Sequence, residues 1–248
     1  RASDLLGAHA ALVGRRRRAL KCGEAFAVRD AHGDIGVFAG PDGIYFQDTR
    51  YLSRLAFTVE DQRPLILSSV MQDDNGALSV DMTTPDIRID AQDETSIPRE
   101  LIAIERTKFL FKGTCYDRIG LRNYDTRRRT LKISVTFDAD FRDLFEVRGT
   151  NRTRFGKRSV QVANENTVQF RYVGLDEIVR STSVHFGPTP KRIEPGRAEF
   201  EVAMDPGEHT SVFIRVVCES HRAFTSVPTA QRAGEDAAAA RSRAAGSS

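Results

Sequence analysis

Residues 131–138 read LKISVTFD. Leu131, Ile133, Val135 and Phe137 alternate with Lys132, Ser134, Thr136 and Asp138. A period of two places one set on each face of an extended strand, apolar side inward. The same period recurs on both sides. Upstream, Phe26 and Val28 alternate before His32-Gly33-Asp34, and Gly40-Pro41-Asp42-Gly43 is a second turn signal. Leu55, Phe57 and Val59 alternate, Glu60-Asp61-Gln62 turns, and Leu65 and Leu67 return, which predicts a hairpin.

Leu78, Val80 and Met82 run into Thr84-Pro85-Asp86, and the apolar stretch from Ile102 to Phe111 turns at Lys112-Gly113. Downstream, Val160 and Val162 face Val168, Phe170 and Tyr172 across Asn164-Glu165-Asn166. Phe200, Val202 and Met204 turn at Asp205-Pro206-Gly207 and return as Val212, Ile214 and Val216. Short strands separated by turn residues, without a long amphipathic helix between them, predict an all-β fold, a large antiparallel β-sandwich. Only the ends break the pattern. Ser3-Asp4 is placed to cap a short helix over Leu5 to Val13, and from Ala223 the chain turns Ala/Ser/Gly/Arg-rich. The expected organisation is an extension over 1–20, a sandwich over 21–222 and a linker over 223–248.

With 248 residues the chain is long enough to bury a full core without disulfides or metals. Its 37 basic and 34 acidic residues are interspersed, which argues against a nucleic-acid footprint. The clusters Arg15 to Arg18 and Arg127 to Arg129 read as solvated surface. Cys22, Cys115 and Cys218 lie far apart, which suits free thiols in a reducing cytoplasm. No apolar run approaches the ~20 residues of a membrane helix, and the N-terminal segment lacks the order of a secretory signal. His9, His32, His185, His209 and His221 are scattered, so neither a metal nor a cofactor is expected.

Two stretches carry candidate chemistry. FQDTRYLSRL, residues 46–55, sets an acid, a hydroxyl and a base side by side in Asp48, Thr49 and Arg50. That tripeptide suits a structural clasp, a catalytic acid with its orienting base, or a ligand clamp. DADFRDLFEVRG, residues 138–149, carries Asp138, Asp140, Asp143 and Glu146. On a strand, Asp138 and Asp140 would share a face about 7 Å apart, while Asp143 and Glu146 suit one helical turn. Paired carboxylates are what glycoside hydrolysis uses. They also serve as turn-formers and as partners for Arg142, Arg148 and Arg152. A clasp between Asp48, Arg50 and this segment requires Asp48 and Arg50 to be buried, along with Phe46, Tyr51, Phe141 and Phe145. With no tryptophan and 5 tyrosines, the chain is poorly provided with an aromatic platform on which a sandwich could stack a sugar.

In order, the segments DTRYLSRL, RPLILSS, VDMTTPDI, YDRIGLRNY, DADFRDLFEVRG and YVGLDEIVRSTSVHFGPTP resemble the N-terminal domain of bacterial glycogen debranching enzymes of the amylo-alpha-1,6-glucosidase type. The similarity runs from about Leu20 to about Cys218. Tyr45-Phe46-Gln47 ahead of DTR, and Thr84, depart from the usual pattern. The resemblance implies a supersandwich-like module preceding a helical α/α-barrel catalytic domain, which is the expected partner along with α-glucan. It places the acid and base on that helical domain, and the linker over 223–248 would lead toward it. Asp48, Thr49, Arg50, Asp140, Asp143, Glu146 and Arg148 are then substrate or interdomain contacts rather than catalytic groups. The rival readings are a stand-alone carbohydrate-binding module and a self-sufficient glycosidase using the 138–149 carboxylates.

Overall fold

The computed structural model describes residues 17–38, 40–72, 76–87 and 97–222. The expected helix over 5–13 and the linker over 223–248 lie outside them. The described chain is all-β. Three antiparallel sheets hold the strands β1 (Arg18–Cys22), β2 (Ala25–Arg29), β3 (Gly43–Phe46), β4 (Thr49–Leu52), β5 (Arg54–Val59), β6 (Leu65–Met71), β7 (Ala77–Thr83) and β8 (Ile102–Phe111). Next come β9 (Thr114–Asn123), β10 (Arg129–Asp138), the single-turn helix α1 (Leu144–Val147), β11 (Lys157–Asn164), β12 (Thr167–Val173) and β13 (Ile178–Gly187). The last three are β14 (Arg192–Glu194), β15 (Arg197–Met204) and β16 (His209–Arg222).

The largest sheet has eight strands in the order β11-β12-β13-β16-β9-β8-β7-β6. Facing it is a four-stranded sheet, β14-β15-β10-β5, whose central strand β10 is LKISVTFD with its flanks. As the alternation predicts, Leu131, Ile133, Val135 and Phe137 are buried. Phe137 meets Phe170 of β12 edge-on and Phe186 of β13 at 5.3 Å, so the two sheets interlock through rings. The third sheet, β1-β2-β3-β4, joins one continuous core with the other two.

Strands β5 and β6 do not form the expected hairpin. β5 pairs with β10, whereas β6 pairs with β7 in the large sheet. The turn at Glu60-Asp61 closes only the Val59–Gln62 bridge. Pro64 has no N–H with which to continue a ladder, so the chain crosses from one sheet to the other there. The edge strand β11 is exposed at every residue.

Candidate functional site

The DTR tripeptide lies at a tight hairpin. Gln47 and Asp48, the two residues between β3 and β4, have φ of 47° and 61°, the positive values that a type I′ turn demands. Asp48 is therefore a turn residue, exposed at the tip, and does not share the burial expected of it. Its reason for being there is local: Asp tolerates the left-handed region better than most side chains.

Thr49 and Arg50 open β4, all four residues of which are buried. Arg50 folds back across Gly43, where a Cβ would come within 2.5 Å of its Cδ and 2.9 Å of the Leu52 carbonyl oxygen. Only glycine admits that crossing. The guanidinium then closes a fork on Asp140. Nε donates to Oδ1 at 3.0 Å, and the second nitrogen donates to Oδ2. The third nitrogen donates to the carbonyls of Gly40 at 3.3 Å and Asp42 at 3.2 Å. Burial disfavours the Arg50 charge, but the hydrogen bonds and charge of Asp140 outweigh it and hold its pKa above the ordinary value. Arg50 is 8% exposed.

Each carboxylate of 138–149 has its own structural role. Asp140 stands past the end of β10 rather than on a strand face with Asp138, and Asp138 takes a hydrogen bond from Arg158. Asp143 caps α1, accepting from the N–H groups of Phe145 and Glu146 at 2.8 Å, while Glu146 reaches back to the Asp143 N–H at 3.0 Å. This reciprocal capping box fixes a helix too short to persist alone. The segment also docks on β4: Arg50 N–H donates to the Arg142 carbonyl at 2.8 Å, and Leu144 N–H to the Asp48 carbonyl at 3.1 Å. Phe141, at a φ of 53°, is held between Tyr51 and Tyr172, with ring centroids 5.7 and 5.6 Å away. Phe145 departs from expectation. It projects outward at 68% exposure, because the capping box turns that side of α1 to solvent. Arg148 supplies a backbone cap and leaves its side chain exposed.

A second polar constellation lies in the core, and sequence reading missed it. Arg106 of β8 and Asp117 of β9 point inward among Ile102, Ile104, Ile119 and Leu121. Arg106 donates to Asp117 at 2.7 Å and to Asp34 at 2.5 Å, with its guanidinium 5.0 Å from the Phe57 ring centre. Lys108 donates to the Gly33 carbonyl at 2.5 Å and lies 3.0 Å from Asp117. Arg63 completes the chain onto Asp34 and Asp30. Burial works against the Asp34 and Asp117 charges, yet Arg106 prevails, helped by Arg63 at Asp34 and by Lys108 at Asp117. Both carboxyls lie below their usual range. Burial, with Arg106 beside it, pulls Lys108 down. The available signal was charge at the inward positions of an alternating strand, Arg106 and Lys108 following Ile102 and Ile104.

Among the described residues no group of His, Cys, Asp and Glu is arranged to hold a metal ion. Burial pushes the Cys115 thiol up to about 12, which makes it inert at neutral pH.

The family model for the N-terminal domain of some glycogen debranching enzymes matches residues 20–215. No curated protein matches the chain in sequence. Among solved structures, a human-microbiome protein assigned as a kojibiose phosphorylase superposes with a TM-score of 0.55 at 9% identity, over 92% of this chain and 32% of that one. The chain thus spans about a third of that protein's length. An Escherichia coli K12 protein assigned as an aldose 1-epimerase gives 0.45 at 9% identity, over 82% of this chain and 99% of that one. A galactose mutarotase-like protein from Lactobacillus casei ATCC 334 gives 0.43 at 6% identity, over 82% and 100%.

Proposed function

We propose, from the premise that the chain belongs to the family of N-terminal domains of glycogen debranching enzymes, that it is the non-catalytic sandwich of a bacterial, cytoplasmic amylo-alpha-1,6-glucosidase. The sandwich, residues 21–222, supports a helical catalytic domain of the same polypeptide through the linker 223–248. One observation carries this reading: the 138–149 carboxylates are committed to structure. Asp140 is engaged by Arg50, and Asp143 and Glu146 are engaged with each other's backbone. A glycosidase needs two carboxyl groups free to face each other across a bound sugar. Phe145 of α1 and Phe155 ahead of β11 are 68% and 60% exposed, so each offers a large ring that a neighbouring domain could cover. Asp48, Thr49, Arg50, Asp140, Asp143, Glu146 and Arg148 then lie on the face that meets the catalytic domain, stiffened by the Arg50–Asp140 fork and the Asp143–Glu146 capping box. Incubating the purified chain with a branched dextrin tests the reading. The expected result is no glucose release, and release that vanishes in Asp140→Asn or Glu146→Gln would overturn it.

A further inference from the structure

The outward face of the eight-stranded sheet holds a groove of about 840 Å³, within the size range of about 300–1,000 Å³ typical of ligand sites. Cross-strand register builds it. Phe109 pairs with Tyr116, Tyr116 with Arg215, Arg215 with His185, and His185 with Thr167. That row crosses five strands, four spacings of roughly 4.8 Å, or about 19 Å. In the next row Arg118 pairs with Phe213 and Phe213 with Gly187. At Gly187 an added Cβ would meet nothing nearer than the Phe213 Cβ at 3.9 Å, so packing does not demand the glycine, and its bare backbone leaves the floor open.

The groove offers two kinds of contact. Phe109 and Tyr116 stack on each other at 5.0 Å with a 14° interplanar angle, which leaves one outer face on each ring, and Phe213 is 52% exposed. The polar groups are arranged around them. The Thr167 hydroxyl donates to Asn166 at 2.9 Å, and His185 Nδ1 lies 3.1 Å from the same oxygen. That contact occupies Nδ1 and leaves Nε2 as the ring nitrogen open to a ligand hydroxyl. Burial, and then Arg215, holds His185 below its usual pKa, in the neutral form. Arg215 has no carboxylate partner among the described residues, and the one acid lining the groove, Asp117, is engaged by Arg106 and Lys108 in the core.

An elongated ligand with apolar C–H faces, and with hydroxyls that both donate and accept, matches this set. The geometry points to a glucan-binding site, with a segment of α-1,4-linked glucan lying across the strands, stacked on Phe109, Tyr116 and Phe213 and hydrogen-bonded by Arg215 and His185. The choice of glucan rests on the family reading above. The groove is separate from the Arg50–Asp140 clasp, and it would hold a branch of the polymer without cutting it.

Titrating the chain with maltoheptaose, followed by calorimetry, tests this. Saturable binding is expected. The Phe109→Ala/Tyr116→Ala double variant should weaken it about tenfold or more with an unchanged sheet spectrum, and Lys21→Ala, on exposed β1 outside the groove, should leave it intact. No saturation at millimolar maltoheptaose, equal affinity in the double variant, or binding of inorganic phosphate alone would each overturn the site. Glucose release from a branched dextrin would overturn only the non-catalytic reading, so the two failures are distinguishable.

Discussion

Arg50 and Asp140 stand 90 residues apart in sequence and share a two-point fork that pins the loop after β10 onto β4. Removing the guanidinium leaves Asp140 with only the looser contact to Arg142 at 3.6 Å and orphans the Gly40 and Asp42 carbonyls. Arg50→Ala should therefore cost about 3 kcal/mol in urea denaturation of the chain, without any glucan present. Arg50→Lys should recover less than half of that, since an ammonium lacks the fork. A stability equal to the parent would reject the clasp.

Asp48 should behave oppositely. At an exposed turn position with φ of 61°, its carboxylate holds nothing in place. Asp48→Gly should be neutral or stabilise by up to about 1 kcal/mol, as relief of left-handed strain offsets the entropy gained by the unfolded chain. A loss of more than that would place Asp48 in the clasp after all.

Within the buried network, Arg106 and Lys108 should differ. Arg106→Met leaves Asp34 and Asp117 buried without their main partner and should cost about 3–5 kcal/mol. Lys108→Met leaves the Arg106–Asp117 pair intact and removes a charge whose burial is already unfavourable, so its cost should be clearly smaller. Comparing the two denaturation midpoints checks the ranking.

Stability should fall on the acid side in two steps. Burial and then Arg63 lower the pKa of His32, whose Nε2 donates to the Pro64 carbonyl while its buried Nδ1 has no hydrogen-bond partner to receive an added proton. A lowered folded-state value means the unfolded chain takes the proton first, so stability is full above about 6.5 and declines below it. Asp34 and Asp117, lowered from 3.8, keep their contribution above that value and lose it as pH falls further. Urea midpoints between pH 8 and pH 3 give the profile. His32→Gln should reduce the first step, and a variant that keeps it whole would assign that step elsewhere.

Much of this fold is legible in its alternation. The burial of Leu131, Ile133, Val135 and Phe137 follows from their period, and the β15–β16 connection follows from Asp205-Pro206-Gly207. The link from Arg50 to the 138–149 segment is also legible, because a buried arginine needs a carboxylate. What was not legible has physical causes. The β5–β6 turn looks like a hairpin because local sequence does not record which sheet a strand joins. Phe145 was expected inside because a capping box fixes orientation through backbone geometry, which apolarity does not reveal. The aromatic count suggested no platform for sugar. Yet Phe109, Tyr116 and Phe213 come from three strands and are neighbours only through register.

β16 also has a consequence for how the chain assembles. It is hydrogen-bonded to β13 on one side and β9 on the other, so among the described residues it is the one strand joining β6–β9 to β11–β13 in the large sheet. It is also the last strand described. During synthesis the two half-sheets emerge first, each with an open edge, and neither can satisfy that edge until residues 209–222 leave the ribosome. Closure of the large sheet is therefore a late event, and a chain stopped at Glu208 should yield two unjoined halves prone to pair with other molecules.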